Sequence, residues 1–269
     1  MIQLATQNKP FFSDVLEEKL IQIKEFGFDG LEADGDLLLE RFDELKTAVK
    51  DTGIPVTSVC GGYRGWIGDF QEEERKHAIR DITVILERAG ELGAAGIVVP
   101  AAWGMFSLRL PPMTPPRSAE EDRKVLLDSL RQLEPVCERS GTRILLEPLN
   151  RYEDHMLNTL DDAGSLILEG ELRHVQIMAD FFHMNIEEQD IKKSLIKWKD
   201  LVGHVHIADS HRFQPGDGHT DFVHGFEGLK EIGFDKTMAF ECRVLGEDQE
   251  GLYKDSAAYI RGCMEKAGL

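Results

Sequence analysis

The sequence has few cysteines, no basic excess and no long apolar run, and each shortage removes a class of protein. Its four cysteines, Cys60, Cys137, Cys242 and Cys263, are spread along 269 residues and form no CxxC pair. They read as free thiols in a reducing cytosol. Lysine and arginine together number 31 against 49 aspartates and glutamates, a net charge of −18. A surface that acidic repels phosphate backbones and anionic membranes, so neither nucleic acid nor a membrane is expected as a partner. No apolar run approaches the roughly 20 residues that span a bilayer. The first residues, "MIQLATQNKP", lack the basic start and apolar stretch of a signal peptide. A soluble cytoplasmic protein is the expectation. Also missing is a G-x-G-x-x-G after the first strand, which argues against a doubly wound dinucleotide fold.

What is present is a rhythm. Short β-rich runs alternate eight times with longer amphipathic ones. The strand candidates are "IQLAT" (2–6), "GLEAD" (30–34), "VTSVC" (56–60), "GIVVP" (96–100), "RILLEP" (143–148), "VQIMAD" (175–180), "HVHIAD" (204–209) and "TMAFEC" (237–242). The segment 13–27 reads as a helix with Ser13 as N-cap and Gly27 as C-cap, its apolar positions at 16, 20, 23 and 26 marking one face. Segments 74–93 and 119–141 follow the same pattern, and Gly27, Gly53, Gly93, Gly141 and Gly233 each close a helix before the next strand. Eight units of about 34 residues each match the unit size of a (β/α)8 TIM barrel. One barrel domain over residues 1–269 is the expected organisation. The proline-rich "RLPPMTPPRS" (109–118) follows the fourth strand and reads as a stiff loop on the active-site face.

In such a barrel the active site forms at the C-terminal ends of the strands, and alternate side chains of each strand point inward. The fifth strand ends at Glu147, the sixth at Asp180, the seventh carries His206 and the eighth leads to Glu241. Their neighbours of opposite parity, Leu146, Ala179, Val205, Ile207 and Phe240, are apolar and suit the helix-facing side. Four ligands therefore converge inside one barrel mouth. Two Glu, one Asp and one His form an oxygen-rich set suited to one divalent ion, with Mn²⁺ first and Mg²⁺ or Co²⁺ as alternatives. Three inward carboxylates without a cation would repel one another. His204 shares the parity of His206 one layer deeper and reads as a packed, hydrogen-bonded interior histidine.

The motifs "EPLNRYE" (147–153), "DFFHMN" (180–185), "GHVHIADSHR…PGDG" (203–218) and "FEC" (240–242) resemble, in this order and spacing, the xylose-isomerase-like barrel superfamily, and among its members the ketose 3-epimerases. The resemblance lies at motif level in the C-terminal half and in strand rhythm alone in the N-terminal half. It implies that Glu147 and Glu241 bind the metal and act as the two acid/bases, that Asp180 and His206 complete the ligand set, and that Glu153, His183 and Arg212 contact a small unphosphorylated sugar or keto-sugar. It also implies a homo-oligomer, dimer or tetramer. The reaction it implies is proton abstraction next to a carbonyl through an enediolate, ending in epimerisation or isomerisation. Trp66 and Trp103, after the third and fourth strands, are candidates to wall the sugar pocket. One departure is Asp209, which stands where H-x-G-E motifs carry a glutamate.

Each assignment has an ordinary structural counterpart. His183 could cap the following helix, Arg212 could pair with Asp209 or Asp217, Glu153 could sit in a solvated loop, and the tryptophans could be rim packing. His211 reads as exposed, and His219 in "PGDGHTDF" is a candidate lid residue. A lyase on the same barrel, of the inosose or dehydroshikimate dehydratase type or a C-glycoside-cleaving subunit, starts with the same proton removal and stays open as an alternative. Zinc nucleases on this barrel need extra histidines after the early strands, where this chain reads "CGGY" and "PAAW".

Overall fold

Eight strands close into one parallel ring in sequence order, each paired with its neighbours and the eighth with the first. The computed structural model describes residues 2–108 and 114–269. The first five residues of the proline-rich stretch fall outside the described ones. In chain order the first half comprises β1 (Gln3–Thr6), α1 (Leu16–Glu25), β2 (Gly30–Asp34), α2 (Gly35–Glu40), α3 (Phe42–Thr52), β3 (Val56–Cys60), α4 (Glu72–Leu92), β4 (Gly96–Pro100) and α5 (Ala119–Ser140). The second half comprises β5 (Arg143–Glu147), α6 (Leu160–Gly170), β6 (Val175–Asp180), α7 (Phe181–Glu187), α8 (Ile191–Lys197), β7 (Val202–Ile207), α9 (Phe222–Glu231), β8 (Thr237–Phe240) and α10 (Gln249–Ala267). Among the described residues no helix is long and apolar enough to cross a membrane.

Inward and outward faces separate as strand alternation requires. Leu146, Ala179, Val205, Ile207 and Phe240 belong to the large apolar cluster between barrel and helices. Val98, Leu145 and Met178, of the opposite parity, form a second small cluster inside the barrel, with Cys60 against it. Two bulges shift the register. Leu31 pairs with Val56 but Glu32 with Ser58, and Ile177 pairs with Val202 but Met178 with His204. Each bulge leaves one residue unpaired, Thr57 or Gly203, and reverses the parity below it. A side chain at Gly203 could not fit, because its Cβ would lie 2.6 Å from that of Gln176.

Helix ends follow local chemistry. Gly53, Gly93 and Gly141 take the left-handed conformation as C-caps of α3, α4 and α5. A Ser118–Glu121 capping box opens α5. The first helix differs from expectation: it begins at Leu16 after Val15, and Ser13 is not its cap. The Ser13 hydroxyl accepts from the Val15 N–H at 3.1 Å and donates to Glu18 at 2.7 Å, so it closes a local turn ahead of the helix. Gly27 follows the C-cap Phe26 with φ +92°. Strand β7 starts two residues earlier than the sequence pattern suggests, at the bulge.

Candidate active site and metal centre

The four strand-end residues meet. One atom each of Glu147, Asp180, His206 and Glu241 lies within 4.8 Å of all the others. His206 Nδ1 is 2.7 Å from Glu241 Oε2, 3.8 Å from Asp180 Oδ2 and 3.9 Å from Glu147 Oε1. Asp180 and His206 are direct partners in the β6–β7 register. The carboxylate of Asp180 has two tasks: Oδ1 caps α7 by accepting from the N–H of Phe182 and His183, which leaves Oδ2 for the cluster.

The donor set fits a divalent cation on its own chemistry. Glu147 Oε1 is buried without a hydrogen-bond partner, an arrangement that costs free energy unless something positive fills it. Burial, together with the charges of Glu241 and Asp180, pushes the Glu147 carboxyl well above the usual range. Burial opposes ionisation of Glu241 too, but Arg212 and His206 outweigh it and hold that carboxyl well below. Arg212 reaches both Asp180 and Glu241 with its guanidinium. It leaves the loop after β7 with φ +66° and stacks over Phe182 at 4.9 Å. The ordinary pairing with Asp209 or Asp217 is therefore not what its side chain makes.

A cavity of about 200 Å³ opens above the cluster, lined in part by Glu147, Glu153, His183, Arg212 and Glu241 from the C-terminal half. Cys60, Trp66, Pro100 and Trp103 line it from the N-terminal half. The structure thus brings both tryptophans and all three substrate candidates to the same space. Glu153 is not free in solvent: it accepts from Trp103 Nε1 at 2.9 Å and from Asn150 Nδ2 at 2.9 Å. His183 is buried, and its Nε2 lies 3.7 Å from Glu147 Oε1. Burial lowers its pKa. His211 is exposed, as expected, and His219 is exposed too.

Asp209 does not face the cavity. Its carboxylate accepts the N–H of Ser210 at 2.8 Å, Gly216 at 2.8 Å and Thr220 at 3.0 Å, so it folds the loop that carries Arg212. Another knot ties the walls together. His155 Nε2 lies 3.0 Å from Asp122 and its Nδ1 3.5 Å from Asp154, while Arg117 holds the other Asp122 oxygen at 2.7 Å and the Asp69 carbonyl at 3.1 Å. Burial opposes charge on His155, but its bonds to Asp122 and Asp154 push its pKa up to about 9.

Three residues escaped the sequence reading. Glu32, on β2, sits beneath the cluster: His204 Nε2 and Ser58 Oγ reach its Oε2 at 2.8 and 2.7 Å, Gln7 Nε2 donates to its Oε1 at 3.1 Å, and His206 Nε2 is 2.8 Å from that oxygen. Despite its burial, the His206 and His204 imidazoles hold its carboxyl far below the usual range. An acidic residue behind a ligating histidine fixes which ring nitrogen faces the cation. The signal was a lone Glu inside "GLEAD", with nothing local to mark it. Cys60 lines the cavity, its Sγ 3.8 Å from Glu241 Oε1, and burial beside that carboxylate raises its pKa well above the usual value. Asn150 was inside a quoted motif but carried no role.

Similarity to known proteins agrees with the geometry. The family model described as xylose isomerase-like TIM barrel matches residues 20–263. The chain belongs to that family. A 3-dehydro-D-guloside 4-epimerase of Escherichia coli K12 is 54% identical over 97% of this chain and 100% of its own length. The crystal structure of 3-keto-D-glucoside 4-epimerase from E. coli superposes with a TM-score of 0.95, at 54% identity over 98% of this chain and 100% of that one. A D-psicose 3-epimerase of Enterocloster bolteae is 27% identical over 91% of this chain and 82% of its length.

Proposed function

We propose that this protein is a divalent-metal-dependent epimerase that inverts the carbon beside the ketone of a keto-sugar, with a 3-keto-glycoside inverted at C4 as its substrate. The observation that carries the reading is the pair Glu147 and Glu241, both on the metal cluster and both lining the cavity. The name of the 54% identical relative supports the choice of ketone and carbon. Glu147, Asp180, His206 and Glu241 would hold the ion, Mn²⁺ first among candidates because the donors are oxygen-rich with a single imidazole. The cation would supply Lewis-acid polarisation of the substrate carbonyl.

The chain's own groups do the rest. One glutamate removes the proton α to the carbonyl on one face, and the other delivers a proton on the opposite face, which inverts the carbon. Arg212 and His183 stabilise negative charge that develops on the substrate oxygens. Trp66 and Trp103 wall the ring and exclude water. The dehydratase reading is not favoured, since the relatives that cover most of the chain are epimerases.

Incubation of the Mn²⁺-supplemented protein with a methyl 3-keto-glucoside in D₂O tests this. The expected result is deuterium at C4 and appearance of the C4 epimer, by NMR after protein removal. An ultraviolet-absorbing enone without epimer would assign a lyase instead.

A further inference from the structure

The motif "EPLNRYE" places Asn150 behind His183, and two backbone groups decide what each side chain must do. The N–H of Asn150 points at His183 Nδ1 from 3.1 Å. A backbone N–H can only donate, so Nδ1 presents its lone pair. The N–H of Tyr152 points at Asn150 Oδ1 from 3.0 Å, which fixes the oxygen end of that amide. The amide nitrogen therefore faces the other way, 2.8 Å from His183 Nδ1 and 2.9 Å from Glu153 Oε1. With two donors on Nδ1, the imidazole is neutral and its proton sits on Nε2. That nitrogen is aimed toward Glu147 and Asp180, at 3.7 and 3.9 Å, on the cavity wall.

We infer that Asn150 is a positioning residue that locks His183 as a hydrogen-bond donor to a substrate oxygen and, with Trp103, holds Glu153 in place. His183 then neither accepts a proton at Nε2 nor ligates a cation through it, and proton transfer falls to the carboxylates. The same amide hydrogen-bonds both His183 and Glu153, and Trp103 Nε1 on the other Glu153 oxygen extends the line to the cavity mouth. Four side chains, from the loops after β4 and β5 and from α7, thus form one chain of hydrogen bonds. The substrate part of this inference rests on the epimerase reading, whereas the tautomer part does not.

Two measurements test it. In ¹⁵N-histidine-labelled, Mg²⁺-loaded protein at pH 7, long-range ¹H–¹⁵N correlation should show His183, assigned by its loss in H183Q, with a bare Nδ1 and a protonated Nε2. A protonated Nδ1, alone or in an imidazolium, overturns the inference whether or not any substrate is known. The second is a double-mutant cycle on keto-sugar exchange. N150D replaces the amide donor at Nδ1 with a carboxylate oxygen, so His183 loses its fixed tautomer and kcat should fall about 10- to 100-fold. In H183Q the tautomer no longer matters, so adding N150D there should cost about fivefold less than in the wild type, the remaining loss being its effect on Glu153. Equal losses in both backgrounds would overturn the action of Asn150 through His183. If the wild type exchanges no keto-sugar proton, the epimerase reading fails while the NMR result still decides the tautomer.

Discussion

The two halves of the barrel mouth contrast sharply in chemistry. Strands β5 and β6 end in Glu147 and Asp180, β7 carries His206 one residue from its end, Glu241 follows β8, and the segments beyond β5, β6 and β7 add Glu153, His183 and Arg212. Strands β3 and β4 end in a thiol and a proline, followed by two tryptophans around the same cavity. One side carries the charged groups and the proposed acid/base pair, and the other forms a less polar wall. Glu32 cuts across this division, because it lies on β2 yet supports His206 from below.

The strongest blow to this contrast would come from the glutamates. Glu147→Gln and Glu241→Gln should each lower kcat for deuterium exchange about a thousandfold, with melting temperature little changed. A mild loss in either would mean that the two-base division is wrong. Chelation should likewise abolish exchange, and added Mn²⁺ should restore it and raise the melting temperature as ligand binding to the native state requires.

Glu32→Gln sharpens the exception. Calorimetric Mn²⁺ titration should show affinity reduced about 10- to 100-fold, since the amide no longer takes the His206 proton as a carboxylate does. Unchanged affinity would confine Glu32 to packing. On the wall, Trp66→Ala should reduce kcat/KM roughly tenfold, mainly through KM. A kcat loss as deep as that of the glutamate variants would erase the distinction between the halves.

The smallest effect concerns the knot that ties the wall loops. His155 has its pKa raised from the ordinary 6.5 to about 9 in the folded state. Its stabilisation is therefore complete below about pH 6.5 and is lost as pH rises through about 9. Thermal melts should fall by a few degrees between pH 7 and 10, and His155→Asn should flatten that slope.

Much of the fold was legible because it is written locally. Alternation within "VQIMAD" and "HVHI" marks which side chains face in, and glycines after α3, α4 and α5 mark where helices stop. The convergence of Glu147, Asp180, His206 and Glu241 followed from the same parity. The part played by Asp209, the departure from H-x-G-E, was not legible, because its partners are backbone amides up to 11 residues away. Ser13 misled because its hydroxyl closes a turn before the helix starts.

By itself, then, the sequence determined the strand–helix rhythm, the inward parity and the four side chains that meet at the barrel mouth, all properties of neighbouring residues. Tertiary structure alone decided that Glu32 lies under His206 and against His204, 172 residues further along the chain. It also decided that Asn150 orders His183 and that Cys60 reaches Glu241. Those pairs depend on ring closure and strand stagger. Closure brings β2 and β7 to face one another inside the barrel, where Glu32 and His204 meet, a contact that no stretch of neighbouring residues encodes.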